Sequence, residues 1–492
     1  MTFDGAGMER KPLWTIEEIV SATGGQLQGK DNAVPNGVTG ISIDSRTIED
    51  GHAFFAIKGE RFDGHDFVSG AAAAGAALCI VSSDRAPSLS GMTGLRLVVP
   101  DVLGALEDLG RAARARMSGK VIAVTGSVGK TGTKEALRLA LAPSGRLHAA
   151  DKSFNNHWGV PLTLARMPSD TEFGIFEIGM NHPGEIRPLV KMVRPHLAII
   201  TTVEAVHLEF FDSVEQIALA KAEIFEGVEP EGSVLLNADN PHYNTLRDLA
   251  TAQSAIQAIE SFGRVAGADV RLLDSSVHDS YSDVTVSLFG KHVSYRIGAP
   301  GQHHIGNSLS VIGAVARVGG NVDAACAALS GVKAPKGRGE RWTLSVKDAQ
   351  AVLIDESYNA NPVSMGAALD LLGQFKPGDQ GRRIAVLGDM LELGESGAGL
   401  HAALAERVAV NSVDLVYCCG PLMRSLWDCL PSGRQAGYAA TSEDIAQSVI
   451  ETVAPGDVVM VKGSLGSRMG PLVEALLTRY DAVTSSRENS QR

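Results

Sequence analysis

The sequence has few cysteines and no long hydrophobic run. No CxxC pair or metal-finger spacing occurs, and an odd, scattered set is typical of reduced thiols, here Cys79, Cys326, Cys418, Cys419 and Cys429. The run AAAAGAALCIV at 71–81 is too short to cross a bilayer. The first residues, MTFDGAGMERKPLW, contain no apolar segment of a secretory signal. We therefore expect a soluble, cytoplasmic protein with no membrane partner.

The sequence also has fewer positively than negatively charged residues. The 44 Lys and Arg residues are outnumbered by 56 Asp and Glu residues, which gives a formal net charge of −12. Nucleic-acid binding over a large surface needs a basic face, so we expect no nucleic-acid partner. At roughly 150 residues per domain, the length of the chain has room for about three domains.

Three segments with different patterns of apolar and polar residues follow one another along the chain. Residues 1–118 alternate short β-like and helical pieces, which predicts a small α/β domain. Residues 119–336 predict a parallel sheet with an antiparallel flank at 269–297, followed by a linker at 333–341. Residues 337–492 contain a second strand and helix series and predict a Rossmann-like domain. The predicted fold class is therefore α/β, with three domains.

A glycine-rich turn follows the apolar run VIAV at 121–124. The segment TGSVGKTGTKE at 125–135 leads from this strand into a helix, so its backbone N–H groups point at an anion. Lys130 and Thr131 stand where a β/γ-phosphate and its magnesium would be. The strict phosphate-loop pattern also has a glycine at the position of Val124. The turn predicts ATP binding, and this deviation is typical of a particular ligase-type loop.

Polar residues follow two further predicted strands of the central segment. Glu177 ends the strand FGIFE, and its carboxylate suits magnesium. His207 follows the strand in LAIITTV. Each residue is equally well explained as a salt-bridged or hydrogen-bonded loop residue when taken singly.

Three more polar residues precede an apolar helix, namely Asn155, Asn156 and His157. Helix capping is the commoner role of such residues, although two amides and a histidine exceed what a cap requires. A site for a polar, amide-rich substrate could use them. Lys221, on a predicted amphipathic helix, would ordinarily be a solvated surface residue.

Taken in order, these and other segments closely resemble the Mur ligase family of peptidoglycan synthesis. The resemblance runs from about residue 40 to 470 and rests on TGSVGKTGTKE, SFNNHWGVPLTLARM, FEIGMNHPGEI, TTVEAVHLEFF, AKAEIFEG, LNADN, DESYNANPVSM and LGDMLELG. Within the family, Lys134, Glu135 and the segments FNNHWGVPLT, NHPGEI and YNANPVSM resemble the member that adds D-alanyl-D-alanine to UDP-N-acetylmuramoyl-tripeptide. The DNPR motif of the ligase that adds the third residue is absent.

The resemblance implies a set of ATP and metal ligands. The ATP phosphates would be bound by the loop, namely Thr125, Gly126, Ser127, Val128, Gly129, Lys130 and Thr131. Asn307 would contact adenine, and Arg341 and Asp355 would reach the nucleotide. Thr131, Glu177, His207 and Lys221 would hold Mg²⁺, with Lys221 carbamylated as in several family members. His304 replaces an asparagine that is usual beside the nucleotide, whereas the departures at Val128 and Gly132 are at exposed loop positions.

The resemblance also implies where the substrates bind. Ser45 and Arg46, in SIDSR, together with KGERFDGHDF at 58–67, resemble the family's uridine-diphosphate-sugar site. A salt bridge between Asp44 and Arg46 is the alternative interpretation. Further substrate contacts are expected in the central and last domains, from Asn155, Asn156, Tyr358, Asn359 and Asn361.

The implied reaction is ATP-dependent amide ligation by a monomer whose last domain closes over ATP and the amino donor. Phosphoryl transfer from ATP to the tripeptide carboxylate would form an acyl phosphate, and the amine of D-alanyl-D-alanine would then attack it. Lys130, Glu177, His207 and Lys221 are the expected catalytic residues. Two alternatives remain: another Mur-type or folylpolyglutamate-type amide ligase, and a non-enzymatic nucleotide-binding regulator.

Overall fold

The structure is a computed structural model that describes residues 12–29, 35–206, 208–278, 280–333 and 336–484. Three larger sheets and one two-stranded sheet are formed within these ranges. In the described part of the chain, every helix is too short or too polar to cross a lipid bilayer.

The first sheet lies in the N-terminal part of the chain. Its described strands have the order β2-β7-β6-β5-β4, while β1 pairs with β3. Three side chains start helices here: Thr15 and Glu18 form a capping box on α1, and Asp101 accepts two backbone N–H bonds at the start of α3. The strands are β1 (Trp14–Thr15), β2 (Gln26–Gln28), β3 (Gly37–Val38), β4 (Gly40–Ser42), β5 (His52–Phe55), β6 (Leu78–Ser82) and β7 (Arg96–Val99). The helices are α1 (Ile16–Thr23), α2 (Val68–Ala73) and α3 (Val102–Arg116), with 3-10 turns at Ser45–Thr47, Gly64–Phe67 and Ala86–Leu89.

The central sheet has the order β16-β15-β14-β13-β12-β11-β8-β10-β9 within the described residues. The strands β9 to β13 run parallel to β8, and β14, β15 and β16 form an antiparallel flank. The strands are β8 (Lys120–Thr125), β9 (Leu147–Ala149), β10 (Phe173–Glu177), β11 (Leu197–Ile200), β12 (Gly232–Asn237), β13 (Ile256–Gly263), β14 (Val270–Val277), β15 (Ser282–Leu288) and β16 (Lys291–Ile297). The helices are α4 (Lys130–Leu141), α5 (Gly159–Ala165), α6 (Ile186–Val193), α7 (Val214–Ala222), α8 (Tyr243–Thr251), α9 (Gln302–Arg317) and α10 (Val322–Leu329), with 3-10 turns at Ala142–Ser144 and Glu223–Gly227.

The topology of the central sheet decides where chemistry can collect. The chain leaves β8 for β9 and β10 on one side and then crosses to β11 on the other. In such sheets ligands bind outside the carboxyl ends of the strands, where the connections diverge. The carboxyl ends of β8, β10 and β11 are therefore the expected site.

The third sheet has the order β21-β20-β19-β22-β18-β17-β23 in the described part of the chain. Strands β18 to β22 are parallel, while β17 pairs in antiparallel fashion with both β18 and β23. The strands are β17 (Glu340–Val346), β18 (Ala349–Glu356), β19 (Arg383–Gly388), β20 (Leu415–Cys419), β21 (Gln435–Ala439), β22 (Val458–Lys462) and β23 (Val483–Thr484). The helices are α11 (Pro362–Gln374), α12 (Gly397–Ala402), α13 (Leu404–Val410), α14 (Arg424–Cys429), α15 (Ser442–Thr452) and α16 (Met469–Arg479), with 3-10 turns at Gly394–Ser396, Ser432–Arg434 and Leu465–Ser467.

The N-terminal part shares a hydrophobic core with one face of the central sheet. Buried residues of the N-terminal part, among them Trp14 and Ala113, and of the central part, among them Val121 and Ala250, belong to one cluster. Polar contacts reinforce this union: Trp14 Nε1 donates to Ala165 O at 2.7 Å, and Arg166 Nε donates to Ile41 O at 2.7 Å. The C-terminal part has two clusters of its own. The predicted α/β class, with a parallel central sheet, an antiparallel flank and a Rossmann-like C-terminal sheet, is confirmed.

Candidate active site

The glycine-rich turn joins the buried strand β8 to α4. Gly126 and Gly129 have φ angles of +149° and +91°, in the region that favours glycine. A side chain at Gly126 would collide with the Thr201 hydroxyl, and a Cβ at Gly129 would lie 2.7 Å from Asn307 Oδ1. The turn therefore needs glycine at both positions, and α9 approaches it closely.

Lys130 opens α4 and curls back over the turn. Its Nζ donates to Gly126 O at 2.6 Å and to Ser127 O at 3.4 Å. Burial lowers the pKa of the Lys130 ammonium, and the Arg338 charge lowers it further, while the Glu177 carboxylate opposes both effects. A cation is thus held where the phosphates of a nucleotide would lie.

Glu177 ends β10 opposite Val124 of β8. Its side chain is 3 % exposed, and it accepts hydrogen bonds from Thr131 Oγ1 at 3.0 Å and Asn155 Nδ2 at 2.8 Å. Three residues predicted from separate motifs are therefore in direct contact. The parallel register places them together, because β8 and β10 end at the same edge of the sheet.

Lys221, on α7, is 2 % exposed, so the interpretation as a solvated surface lysine is wrong. Burial lowers the pKa of its ammonium well below the ordinary value, and the Lys130 charge lowers it further. No described carboxylate lies within ion-pair distance of it. A buried amine without an acidic partner favours the neutral, nucleophilic form.

The chemistry of these side chains fits a magnesium ion. Thr131 and Glu177 offer hard oxygen donors, and a carbamate on Lys221 would add a third. No group of three His, Cys, Asp or Glu side chains with metal-binding spacing occurs among the described residues. His207, the remaining predicted ligand, lies outside the described residues.

A cleft of about 680 Å³ lies between the central and C-terminal sheets. The predicted site residues that line it are Ser127, Val128, Gly129, Lys130, Thr131, Asn155, Glu177, Asn307, Tyr358, Asn359 and Asn361. His303 and His304 line it too, with their rings 4.0 Å apart. The pKa of His304 is lowered by burial and by His303 and Arg341. Residues from five segments of the sequence thus share one cavity.

Other predicted residues lie outside this lining. Thr125 is fully buried in β8, and Asn156 Oδ1 accepts the Gly159 backbone N–H at 3.0 Å, which is a capping role. Arg341 stacks 4.5 Å from the Phe375 ring. Asp355 accepts the Ser357 N–H at 3.0 Å, and burial raises the pKa of its carboxyl. Their assigned roles stay predictions, as does that of Gly126, which is also outside the lining.

Ser45 and Arg46 are not among the residues that line the cleft. The salt bridge that was the alternative interpretation is present, because Arg46 Nη2 lies 2.7 Å from Asp44 Oδ2. The Arg46 side chain is also 86 % exposed. A diphosphate ligand would have to compete with Asp44 for this guanidinium, so the assignment stays a prediction.

Known protein families and relatives match most of the length of the chain. Residues 37–114 match the sequence model of the Mur ligase family catalytic domain, 124–315 that of the Mur ligase middle domain, and 319–465 that of the Mur ligase glutamate ligase domain. The UDP-N-acetylmuramoyl-tripeptide–D-alanyl-D-alanine ligase of Escherichia coli K12 is 32% identical over 467 residues, which cover 94% of this chain and 98% of the relative. The chain belongs to the Mur ligase family. The predicted family resemblance is confirmed.

Solved structures of Mur ligases share the fold over nearly the full length. A crystal structure of MurF from Acinetobacter baumannii matches with a TM-score of 0.80 and 28% identity, covering 94% of this chain and 99% of that one. The MurF ligase from Thermotoga maritima in complex with ADP matches with a TM-score of 0.71 and 27% identity, covering 89% and 97%. This Mur ligase is therefore an ATP-dependent peptide ligase by family, as predicted.

The structure adds cleft residues of this Mur ligase that sequence reasoning missed. Arg338 stacks over the Tyr358 ring at 4.2 Å and lines the cleft. Glu356 and Lys462, at the ends of β18 and β22, form an ion pair of 3.2 Å that also faces the cleft. The position of both strand ends was the signal that could have found this pair, because ligands collect beyond the carboxyl ends of parallel strands.

Proposed function

We propose that this chain joins D-alanyl-D-alanine to the tripeptide carboxylate of UDP-N-acetylmuramoyl-tripeptide in an ATP-dependent reaction of peptidoglycan precursor synthesis. The observation that carries the proposal is the contact of Thr131, Glu177 and Asn155 beside Lys130, in a cleft whose far wall carries Tyr358 and Asn359. The curated relative with this activity matches 94% of the chain.

The first step activates a poor electrophile. The tripeptide carboxylate attacks the γ-phosphorus of ATP, the bond to the bridging β,γ-oxygen breaks, and an acyl phosphate and ADP result. The chain contributes mainly position and charge, as is general for phosphoryl transfer. Lys130 donates to the turn carbonyls now and would donate to the phosphoryl oxygens when ATP displaces those contacts.

Mg²⁺ would be held by Thr131, Glu177, His207 and a carbamate on Lys221, and it would neutralise charge on the phosphates. Lys221 supports this assignment, since an amine that burial keeps neutral can add to carbon dioxide, whereas an ammonium cannot. Glu177 is kept in place for this role by its hydrogen bonds from Thr131 and Asn155.

The nucleotide would lie against α9 and the linker to the C-terminal part. Asn307 approaches Gly129 and is the proposed adenine contact, beside His304. Arg338 faces the cleft and acts on the Lys130 pKa, so we add it as a phosphate ligand. Arg341 and Asp355 remain the ligands proposed from the sequence.

The other assignments are proposed from the resemblance. Ser45 and Arg46 would hold the diphosphate of the sugar nucleotide, and Asn155, Asn156, Tyr358, Asn359 and Asn361 would contact the peptide and the amino donor. The three domains would be 1–118, 119–336 and 337–492, each with one larger sheet. We also propose that the protein acts as a monomer in the cytoplasm.

Omission assays test the proposal. Purified protein should release phosphate only when ATP, UDP-N-acetylmuramoyl-tripeptide and D-alanyl-D-alanine are all present, and a product of the summed mass should form. A panel of amino donors, including glutamate and diaminopimelate, separates this activity from those of other Mur-type or folylpolyglutamate-type ligases. Turnover with another donor alone would refute the assignment. A non-enzymatic regulator is disfavoured because Glu177 and Asn155 are 2.8 Å apart.

A further inference from the structure

Amide formation needs a proton acceptor, and none of the roles proposed above provides one. The amino group of a dipeptide has a pKa of about 8, so it is mostly an ammonium ion at neutral pH. An ammonium has no lone pair and cannot attack an acyl phosphate. A carboxylate on the side of the cleft from which the amine arrives would remove the proton.

Glutamates are the acidic residues that line the described cleft, and they differ in what surrounds them. Glu177 is engaged by Thr131 and Asn155 in the central domain. Glu392 is exposed to solvent on the C-terminal rim. Glu356, with its side chain 13 % exposed, lies deeper on the C-terminal side.

The carboxylate of Glu356 is fixed by an ion pair, but only one of its two oxygens has a described hydrogen-bond donor. Its Oε2 accepts from Lys462 Nζ at 3.2 Å, and Lys462 also donates to Asn359 O at 3.0 Å. No described residue donates a hydrogen bond to its Oε1. The ion pair therefore holds the carboxylate of this cleft-lining residue and leaves Oε1 without a described hydrogen-bond donor.

The pair also stands opposite the nucleotide side of the cleft. Burial is the main cause that lowers the pKa of His303; the Glu356 carboxylate opposes this effect, and the Lys462 charge adds to it. His303 lies on α9, four residues before Asn307. Glu356 thus reaches across from the C-terminal sheet toward the elements that hold the phosphate loop.

We propose that Glu356 binds the ammonium group of the amino donor and takes its proton, with Lys462 as the residue that positions it. This inference rests on the proposed function. One N–H bond breaks and its proton moves to Oε1. The nitrogen lone pair then forms the C–N bond, the bond from the carbonyl carbon to the phosphate oxygen breaks, and the departing phosphate takes the second nitrogen proton.

The test separates the two half-reactions. Hydroxylamine intercepts an acyl phosphate without needing a protein base, because it is largely unprotonated at neutral pH. In E356Q, we expect ATP-dependent hydroxamate formation from UDP-N-acetylmuramoyl-tripeptide to persist, while ligation of D-alanyl-D-alanine falls about 100-fold. The remaining ligation should rise more steeply with pH than that of the wild type, since only free amine can then react.

Conservative and remote variants serve as controls. E356D keeps the carboxylate and should recover part of the ligation rate, while E406Q makes the same change on an exposed face of α13 and should leave both reactions unchanged. Equal loss of both reactions in E356Q, or no loss of ligation, would overturn the proposal, because either result means a structural role or none. Failure of the wild type to form hydroxamate would instead count against the proposed function.

Discussion

Two regions were predicted to bind phosphate groups, and they differ in how the fold treats them. At the carboxyl edge of the central sheet, Lys130, Asn155, Glu177 and Asn307 come from four separate segments and line one cleft. In the N-terminal part, Ser45 and Arg46 are neighbours in sequence, and Arg46 is engaged by Asp44 at the surface. The convergence of polar residues from distant segments is the stronger sign of a binding site, because two residues that are close in sequence can readily form an ion pair with each other without any ligand.

We expect the largest loss of activity from a substitution at the carboxyl edge of the central sheet. In K130A the turn loses its cation, and we expect the turnover number to fall about 1,000-fold, since charge neutralisation dominates phosphoryl transfer. Phosphate release measured with all three substrates gives the effect. K120A removes an exposed lysine at the start of the same strand and is the matched control. If K130A retained its turnover number, the carboxyl edge of the central sheet would not be the phosphate site, and the contrast with the N-terminal pair would fail.

A second test concerns the buried amine at the same edge. In K221M we expect a loss of about 100-fold, the upper range for changes around a metal site. Wild-type activity should fall when bicarbonate is stripped and return when it is added, whereas K221M should not respond. The pKa of Lys221 is lowered, so the amine is neutral above that pKa and protonated below it. Bicarbonate dependence should therefore increase as the pH falls.

K191M changes an exposed lysine on α6 and controls for the loss of a side-chain charge. Activity of the wild type that is indifferent to bicarbonate, together with density or mass that shows an unmodified Lys221, would reject the carbamate.

A third test compares two arginines near the linker. Arg338 faces the cleft, while Arg341 stacks on Phe375. R338A should lower kcat/KM for ATP about 30-fold, as expected for a hydrogen bond to a charged group, and R341A less than about threefold. The reverse order would favour the assignment made from the sequence over the one made from the cleft.

The smallest expected effect belongs to the N-terminal pair. R46A should raise the KM for UDP-N-acetylmuramoyl-tripeptide about fivefold and leave the KM for ATP unchanged. The melting temperature should hardly move, because an exposed ion pair contributes about 0–1 kcal/mol. D44N leaves Arg46 free and should lower that KM. Identical KM values in both variants and the wild type would place the sugar nucleotide elsewhere.

The sequence predicts the fold class and the phosphate edge well because both follow from regular patterns. Apolar runs identify β8, β10 and β11, and a parallel sheet brings their ends together whatever the connections are. Glu177 was found by this argument. Arg338 and Glu356 were not, because the first lies in a linker without periodicity and the second is adjacent to an aspartate that the resemblance favoured. Whether Arg46 faces a ligand or Asp44 depends on side-chain geometry, which spacing does not determine.

The shared hydrophobic core has a mechanical consequence. One buried cluster joins residues of the N-terminal part, such as Trp14, to residues of the central part, such as Ala250, so we expect these two parts to move as one body and the C-terminal part to move relative to them. The acceptor carboxylate and the phosphoryl donor would be aligned on a rigid platform, and the mobile body would carry Glu356 and the incoming amine. Such an arrangement would set the order of the two steps. The acyl phosphate can form on the rigid platform alone, whereas the amide bond can form only after the mobile body has brought the amine to it.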